Sequence, residues 1–335
     1  MLYTKINDTM ELTLKRYSSQ LSKFQSLIAL LVLCIVLSFL TDKFFTADNG
    51  LNVLRQTAVN ICIATGMTLI VLTAGIDLSV GSILALCGAI TAGVLKNGIA
   101  IPSFDLFIGF TILGSVLAGI TVGGLLGWFN GFTITKFNVP PFVATLAMLT
   151  IARGFTMLYT QGHPISNLGT QFANIGTGWL LGIPVPVWIA AVVVLFAVFI
   201  TQKTKLGRYI YAIGGNETAA KLSGINISKV KMIVYAMAGA FAAIGGIIVT
   251  SRLDSAQPNA GMSYELDAIA AVVIGGTSLS GGKGSVWGTV MGAIIIGVLN
   301  NGLVLLNVSP FWQQVVKGGV ILLAVIIDKM NAKNE

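Results

Sequence analysis

The chain has 335 residues, of which 10% are charged and 55% hydrophobic, against roughly 25% and 45–50% in ordinary globular chains. A water-soluble body is therefore excluded as the main architecture, and an all-α polytopic membrane protein of about ten helices, each of about 20 residues, accounts for most of the length. The net charge of +8 does not point to nucleic acid, because no block of five or more Lys/Arg occurs and no basic stripe alternates with aromatics.

In chain order, Lys15, Arg16 and Lys23 precede an apolar run from Leu27 to Leu40. The following TDKFFTADNG offers no A-x-A cleavage site, so the run reads as a retained first span behind a cytoplasmic tail, 1–25. Apolar stretches predict spans near 26–41, 57–74, 83–95, 106–126, 140–158, 184–202, 232–251, 267–280, 286–306 and 312–327. The third and eighth are too short for a hydrocarbon core of about 30 Å, which leaves eight to ten full crossings, with re-entrant or broken helices at those two places. One transmembrane domain, 26–328, is expected, followed by a cytoplasmic tail, 329–335.

Basic residues assign the sides. The loop 203–231 holds Lys203, Lys205, Arg208, Lys221, Lys229 and Lys231 against one acid, Glu217, and is expected in the cytoplasm. The stretches 159–183 and 303–311 hold no Lys or Arg and are expected outside. Ten spans threaded from a cytoplasmic N-terminus satisfy these assignments and return the C-terminus to the cytoplasm. Lys43, Arg55, Lys96 and Arg252 then fall outside and Arg153 and Lys317 within spans.

The runs TAGIDLSVGS (Thr73 to Ser82) and IGGTSLSGGK (Ile274 to Lys283) share G-x-x-L-S-x-G, starting at Gly75 and Gly276. Both are expected at the cytoplasmic end of a span, in matching positions of a pseudo-duplicated transporter. Gly119, Gly123, Gly127, Gly131 and Gly284, Gly288, Gly292 form G-x-x-x-G steps that read as packing seams.

Catalytic chemistry is sparse. The one histidine, His163, lies in an outside loop, and Cys34, Cys62 and Cys87 sit in apolar runs as packed free thiols; no metal site is expected. SGGKGS (Ser280 to Ser285) departs from a phosphate-binding loop, with Thr277 at the first glycine position and Gly284 after Lys283, so no nucleotide site is expected on this chain. Asp77, within Gly75, Ser79 and Gly81, reads first as a helix-capping carboxylate and second as a conformational or transport residue. Asn60, Thr68, Asn300, Asn301 and Gln313 are pathway candidates that serve equally as interhelical glue. Glu265 and Asp267, at the outer entry to the eighth span, read equally as helix-capping or partner-facing residues, and with Arg252 and Tyr264 they are the docking candidates for an outer binding protein. In the loop 204–231, Asn216 to Ser223 reads as a short helix with Asn216 as N-cap, Glu217 at its positive end and Gly224 at its stop, a shape suited to a soluble motor subunit.

The motifs GIDLSVGS, GRYIYAIGGNETAAKLSGIN (Gly207 to Asn226), SAQP (Ser255 to Pro258), YELDAIAAVVIGGTSLSGGKG (Tyr264 to Gly284) and LNNGL (Leu299 to Leu303) make the chain closely similar to the permease subunit of bacterial ATP-binding-cassette importers of the ribose type, from about Leu27 to Asp328. The resemblance implies a multi-pass protein of the bacterial inner membrane, non-catalytic itself, working with a second copy, two cytoplasmic ATPase domains holding Mg-ATP, and an extracytoplasmic sugar-binding protein. It also implies that Gly215, Asn216, Glu217, Ala220, Leu222, Ser223 and Gly224 couple to the ATPase. D-ribose is the best single cargo, another sugar or a furanose-like signal the alternative. An ion-coupled secondary carrier relying on Asp77, and a membrane scaffold, are the competing classes.

Overall fold

The computed structural model describes residues 26–101 and 106–333, and the expected tail 1–25 lies outside them. The helices are α1 (Ser26–Leu40), α2 (Ala47–Leu72), α3 (Val80–Asn97), α4 (Ile112–Lys136), α5 (Pro141–Thr160), α6 (Thr170–Thr177), α7 (Val185–Lys203), α8 (Lys205–Gly215), α9 (Glu217–Leu222), α10 (Ile227–Arg252), α11 (Tyr264–Ile274), α12 (Val286–Leu305) and α13 (Pro310–Lys333). Seven of them, α2, α3, α4, α5, α7, α10 and α12, are long and apolar enough to cross a membrane, while α1 and α13 carry shorter apolar stretches. Among the described residues, three two-stranded antiparallel ribbons complete the fold: β1 (Ile99–Ile101) with β2 (Leu106–Ile108), β3 (Ile165–Ser166) with β6 (Ser255–Ala256), and β4 (Trp179–Leu180) with β5 (Ile183–Pro184).

Local chemistry sets the boundaries. Thr46, Thr111, Asn226 and Ser285 each accept a hydrogen bond from a backbone N–H of the first helical turn, and Pro140–Pro141 and Pro184–Pro186 open α5 and α7 where a missing N–H costs nothing. Several expected spans shift accordingly. The second extends back to Ala47 because Thr46 caps it, and the fourth starts at Ile112 because residues 106–108 pair as a strand. The third is 18 residues long and reaches crossing length. The eighth is only 11 residues long, and α13 carries the helix on through Lys333 into the expected tail.

The bundle has a centre and a rim. The most apolar stretches of α2, α3 and α10 are 72%, 78% and 67% buried, against 22%, 28% and 33% for α4, α5 and α7. The glycine steps of α4 are where its backbone lies on α10: a side chain at Gly123 would strike the Gly239 carbonyl and one at Gly127 the Tyr235 carbonyl. Gly288 and Gly292 meet Gly275, just past the end of α11, and Ala271 of α11 in the same way, so both expected seams exist. Cys62 and Cys87 are buried free thiols and Cys34 is half-buried.

Contacts also order the helix ends. Leu72 meets Gly282 and Gly214, and Gly131 meets Met232, which gathers one end of α2, α4, α8 and α10 beside the basic loop 203–231. Ser26 donates to the Ile274 carbonyl, bringing α1's first described residue to α11's last and so to this basic end. At the opposite end Asn49 pairs with Asn301, and Gly176 packs on Arg252.

Candidate functional site

At the basic end, α8 and α9 form a hairpin. Asn216 accepts from the Ala219 N–H at 2.9 Å, and Gly224 at φ 83° closes α9, with the Ile225 N–H donating to the Ala220 carbonyl. Glu217 pairs with Lys231 of α10 at 2.7 Å. Ala220 is buried beneath the turn, whereas Leu222 is 85% exposed. The hairpin also touches two other segments: Gly214 packs on the Leu72 carbonyl and the Gly282 N–H, and the Tyr211 hydroxyl donates to the Gly284 carbonyl at 2.9 Å. Leu72 and Gly282 are themselves joined by an N–H···O bond of 3.1 Å. One surface element thus bears on the break between α2 and α3 and on the turn between α11 and α12.

The break between α2 and α3 runs into the interior. Ala74 adopts φ 60°, and beyond it Asp77 is fully buried. Its Oδ1 accepts from the Ser79 N–H at 2.7 Å and the Ser79 hydroxyl at 2.5 Å, and Asn130 of α4 donates to that hydroxyl at 3.0 Å. Asp77 therefore orders the segment ahead of α3; the N–H it holds belongs to the residue before the helix. The depth is fixed by α10: Leu84 packs on Gly246, six residues or about 9 Å short of Arg252. The run from Thr73 therefore starts at the basic end of α2, as expected, with Ala74 exposed against Gly281, but it leads inward, so that α3 starts inside the bundle. The two matching runs thus meet at the basic end but are held in unlike settings, one passing from a turn at Ala74 into the interior and the other staying in a glycine turn.

A second break precedes α11. After β6 the chain turns inward until Gly261 meets Gly81, and α11 begins beside α3's first turn. Arg153 of α5 holds this segment, its Nη1 donating to the carbonyls of Pro258 at 2.6 Å and Ala260 at 2.9 Å. Glu265 and Asp267 occupy α11's first turn. Asp267 pairs with Lys317 of α13 at 3.0 Å, whereas no side-chain donor among the described residues bonds Glu265. A cavity of about 300 Å³ lies between Ser82, Arg153, Asn259, Ser263 and Glu265, with Leu149, Met157 and Met262 as its apolar wall.

A family model for the permease component of branched-chain amino acid transport systems matches residues 49–325. The chain belongs to this permease family. The ribose import permease protein of Haemophilus influenzae is 52% identical to this permease over 326 residues, covering 96% of this chain and 97% of that one. The proteins of the same name from Escherichia coli K12 and Bacillus subtilis are each 50% identical, covering 94% and 93% of this chain and 96% and 94% of their own. No solved structure matches.

Within this permease the pathway candidates separate. The hydroxyl of Thr68 bonds Thr289 at 2.7 Å and the Asn301 amide bonds Asn49 in both directions, so both join α2 to α12. Gln313 donates to the Val308 carbonyl. Asn60 and Asn300 each hold a buried carbonyl oxygen without a partner among the described residues. None of the five lines the cavity at Arg153. Sequence reading left Arg153's partner open and did not connect it with Asn259 or Ser82; the available signal was a lone arginine in an apolar helix.

Proposed function

We propose that this chain is the membrane-spanning permease of an ATP-binding-cassette importer that carries a monosaccharide, D-ribose first, inward across the bacterial inner membrane. The observation that carries the coupling mechanism is the α8–α9 hairpin. It presents an exposed Leu222 at the basic end and at the same time holds Leu72, Gly282 and Gly284, at two helix breaks. A push on this hairpin from a soluble ATPase reaches both breaks without a long relay, the arrangement an alternating-access device requires.

In this reading the basic end is cytoplasmic, as the charge asymmetry supports, and the chain makes ten passes with α11 as a half-crossing helix. Gly215, Asn216, Glu217, Ala220, Leu222, Ser223 and Gly224 form the coupling turn. Two copies enclose the path, two ATPase domains supply hydrolysis, and an extracytoplasmic sugar-binding protein docks near Arg252. The full-length likeness to permeases named for ribose supports the cargo. Extraction of the tagged chain in mild detergent tests the proposal. A stoichiometric ATPase should copurify, and vanadate should block ribose uptake by the same cells. Uptake that ignores vanadate but collapses with a protonophore overturns it in favour of a secondary carrier.

A further inference from the structure

Two acids stand two residues apart in α11's first turn, and the fold treats them differently. Asp267 is buried against Lys317, a compensated pair. Glu265 is half-buried, accepts from backbone N–H groups at the start of α11 and feels the charge of Arg153, but no ion pair among the described residues holds it. Facing it across the same cavity, Arg153 uses one nitrogen to hold Pro258 and Ala260, and its other N–H donors have no partner among the described residues. Asn259 and Ser263 add an amide and a hydroxyl and Met157 an apolar face, while the buried Ser82 hydroxyl donates to the Ser79 carbonyl at 2.8 Å. Arg153 lies seven residues before the end of α5, so the cavity sits about 10 Å below the end opposite the basic loop.

We propose that this cavity is a sugar-contact site on the translocation path, a step that rests on the importer reading above. Its chemistry suits a neutral polyhydroxylated molecule: a carboxylate and an amide oxygen accept from neighbouring hydroxyls, guanidinium and amide N–H groups donate to them, and the opposite charges disfavour an ionic cargo. A volume of about 300 Å³ matches the lower end of small-molecule sites, about 300–1,000 Å³. The glycines Gly81 and Gly261 bring two backbones together here, and a side chain at Gly81 would strike the Gly261 carbonyl and press on Glu265.

The test uses the whole importer in cells, with labelled D-ribose and 2-deoxyribose. Glu265→Gln and Asn259→Ala should lower ribose uptake and shrink the ribose to 2-deoxyribose ratio about two- to tenfold, the weight of one lost hydrogen bond, while ATPase copurification persists. Thr150→Ala, on an exposed part of α5, should change neither. Should Glu265→Gln fail to insert, Asn259→Ala decides the matter. Wild-type uptake with an unchanged ratio in the variants overturns the site alone. Vanadate-insensitive uptake, or none, in the wild type overturns the importer reading and the site with it.

Discussion

At the scale of single residues, the buried pair of Lys317 and Asp267 sets up a sharp expectation. Lys317→Met leaves the Asp267 carboxylate, 8% exposed, without its partner, a change of about 3–5 kcal/mol. Thermal unfolding of the purified permease should shift downward, and the double variant with Asp267→Leu should recover most of the loss. A single variant as stable as wild type refutes the pairing. Gly214 and Gly215 offer a second contrast. A methyl at Gly214 strikes the Leu72 carbonyl, while one at Gly215 meets nothing within 4 Å. Gly214→Ala should therefore impair assembly and Gly215→Ala should not, as blue-native gels of membrane extracts would report. Neither distinction was legible in the sequence, where both acids of α11 and both glycines look equivalent. Each residue's partner lies on an element distant along the chain.

At the scale of elements, the sequence reveals what is periodic, capped or basic. The short helix after Asn216, its stop at Gly224 and the glycine seams of α4 and α12 follow from local rules that tertiary contacts did not override. The third, fourth and eighth spans were misjudged at their edges for a physical reason. Hydropathy averages over the apolar ribbon at residues 106–108, and it does not distinguish a segment that leads into the interior, such as Gly75–Ser79, from a surface loop. Leu222→Glu tests the α9 element directly. The side chain is exposed, so insertion and stability should hold, whereas recovery of the ATPase with the tagged permease should fall at least tenfold. Full recovery would move the docking surface off α9.

At the scale of the whole molecule, three pieces of chain far apart in sequence converge at the basic end: the break after Leu72, the turn at Gly281–Gly282 and the α8 terminus at Gly214. Because Leu72 is bonded to Gly282, motion at one break is transmitted to the other unless that junction opens. The positive φ of Ala74 and the glycine conformations at Gly281 and Gly282 give both segments backbone that is held by packing, the condition for a bistable element. Cysteines at Ala74→Cys and Gly281→Cys would place their Cβ positions 2.9 Å apart, about 1 Å inside the usual disulfide separation, so a bridge that forms after a small backbone shift would tie the junction shut. With Cys34 replaced by serine, oxidation should arrest uptake and reduction should restore it, if the two segments part during each transport cycle. A complete crosslink that leaves uptake at the wild-type rate would mean that the breaks move as one rigid unit, and the hinge must then lie at the Arg153-held segment before α11.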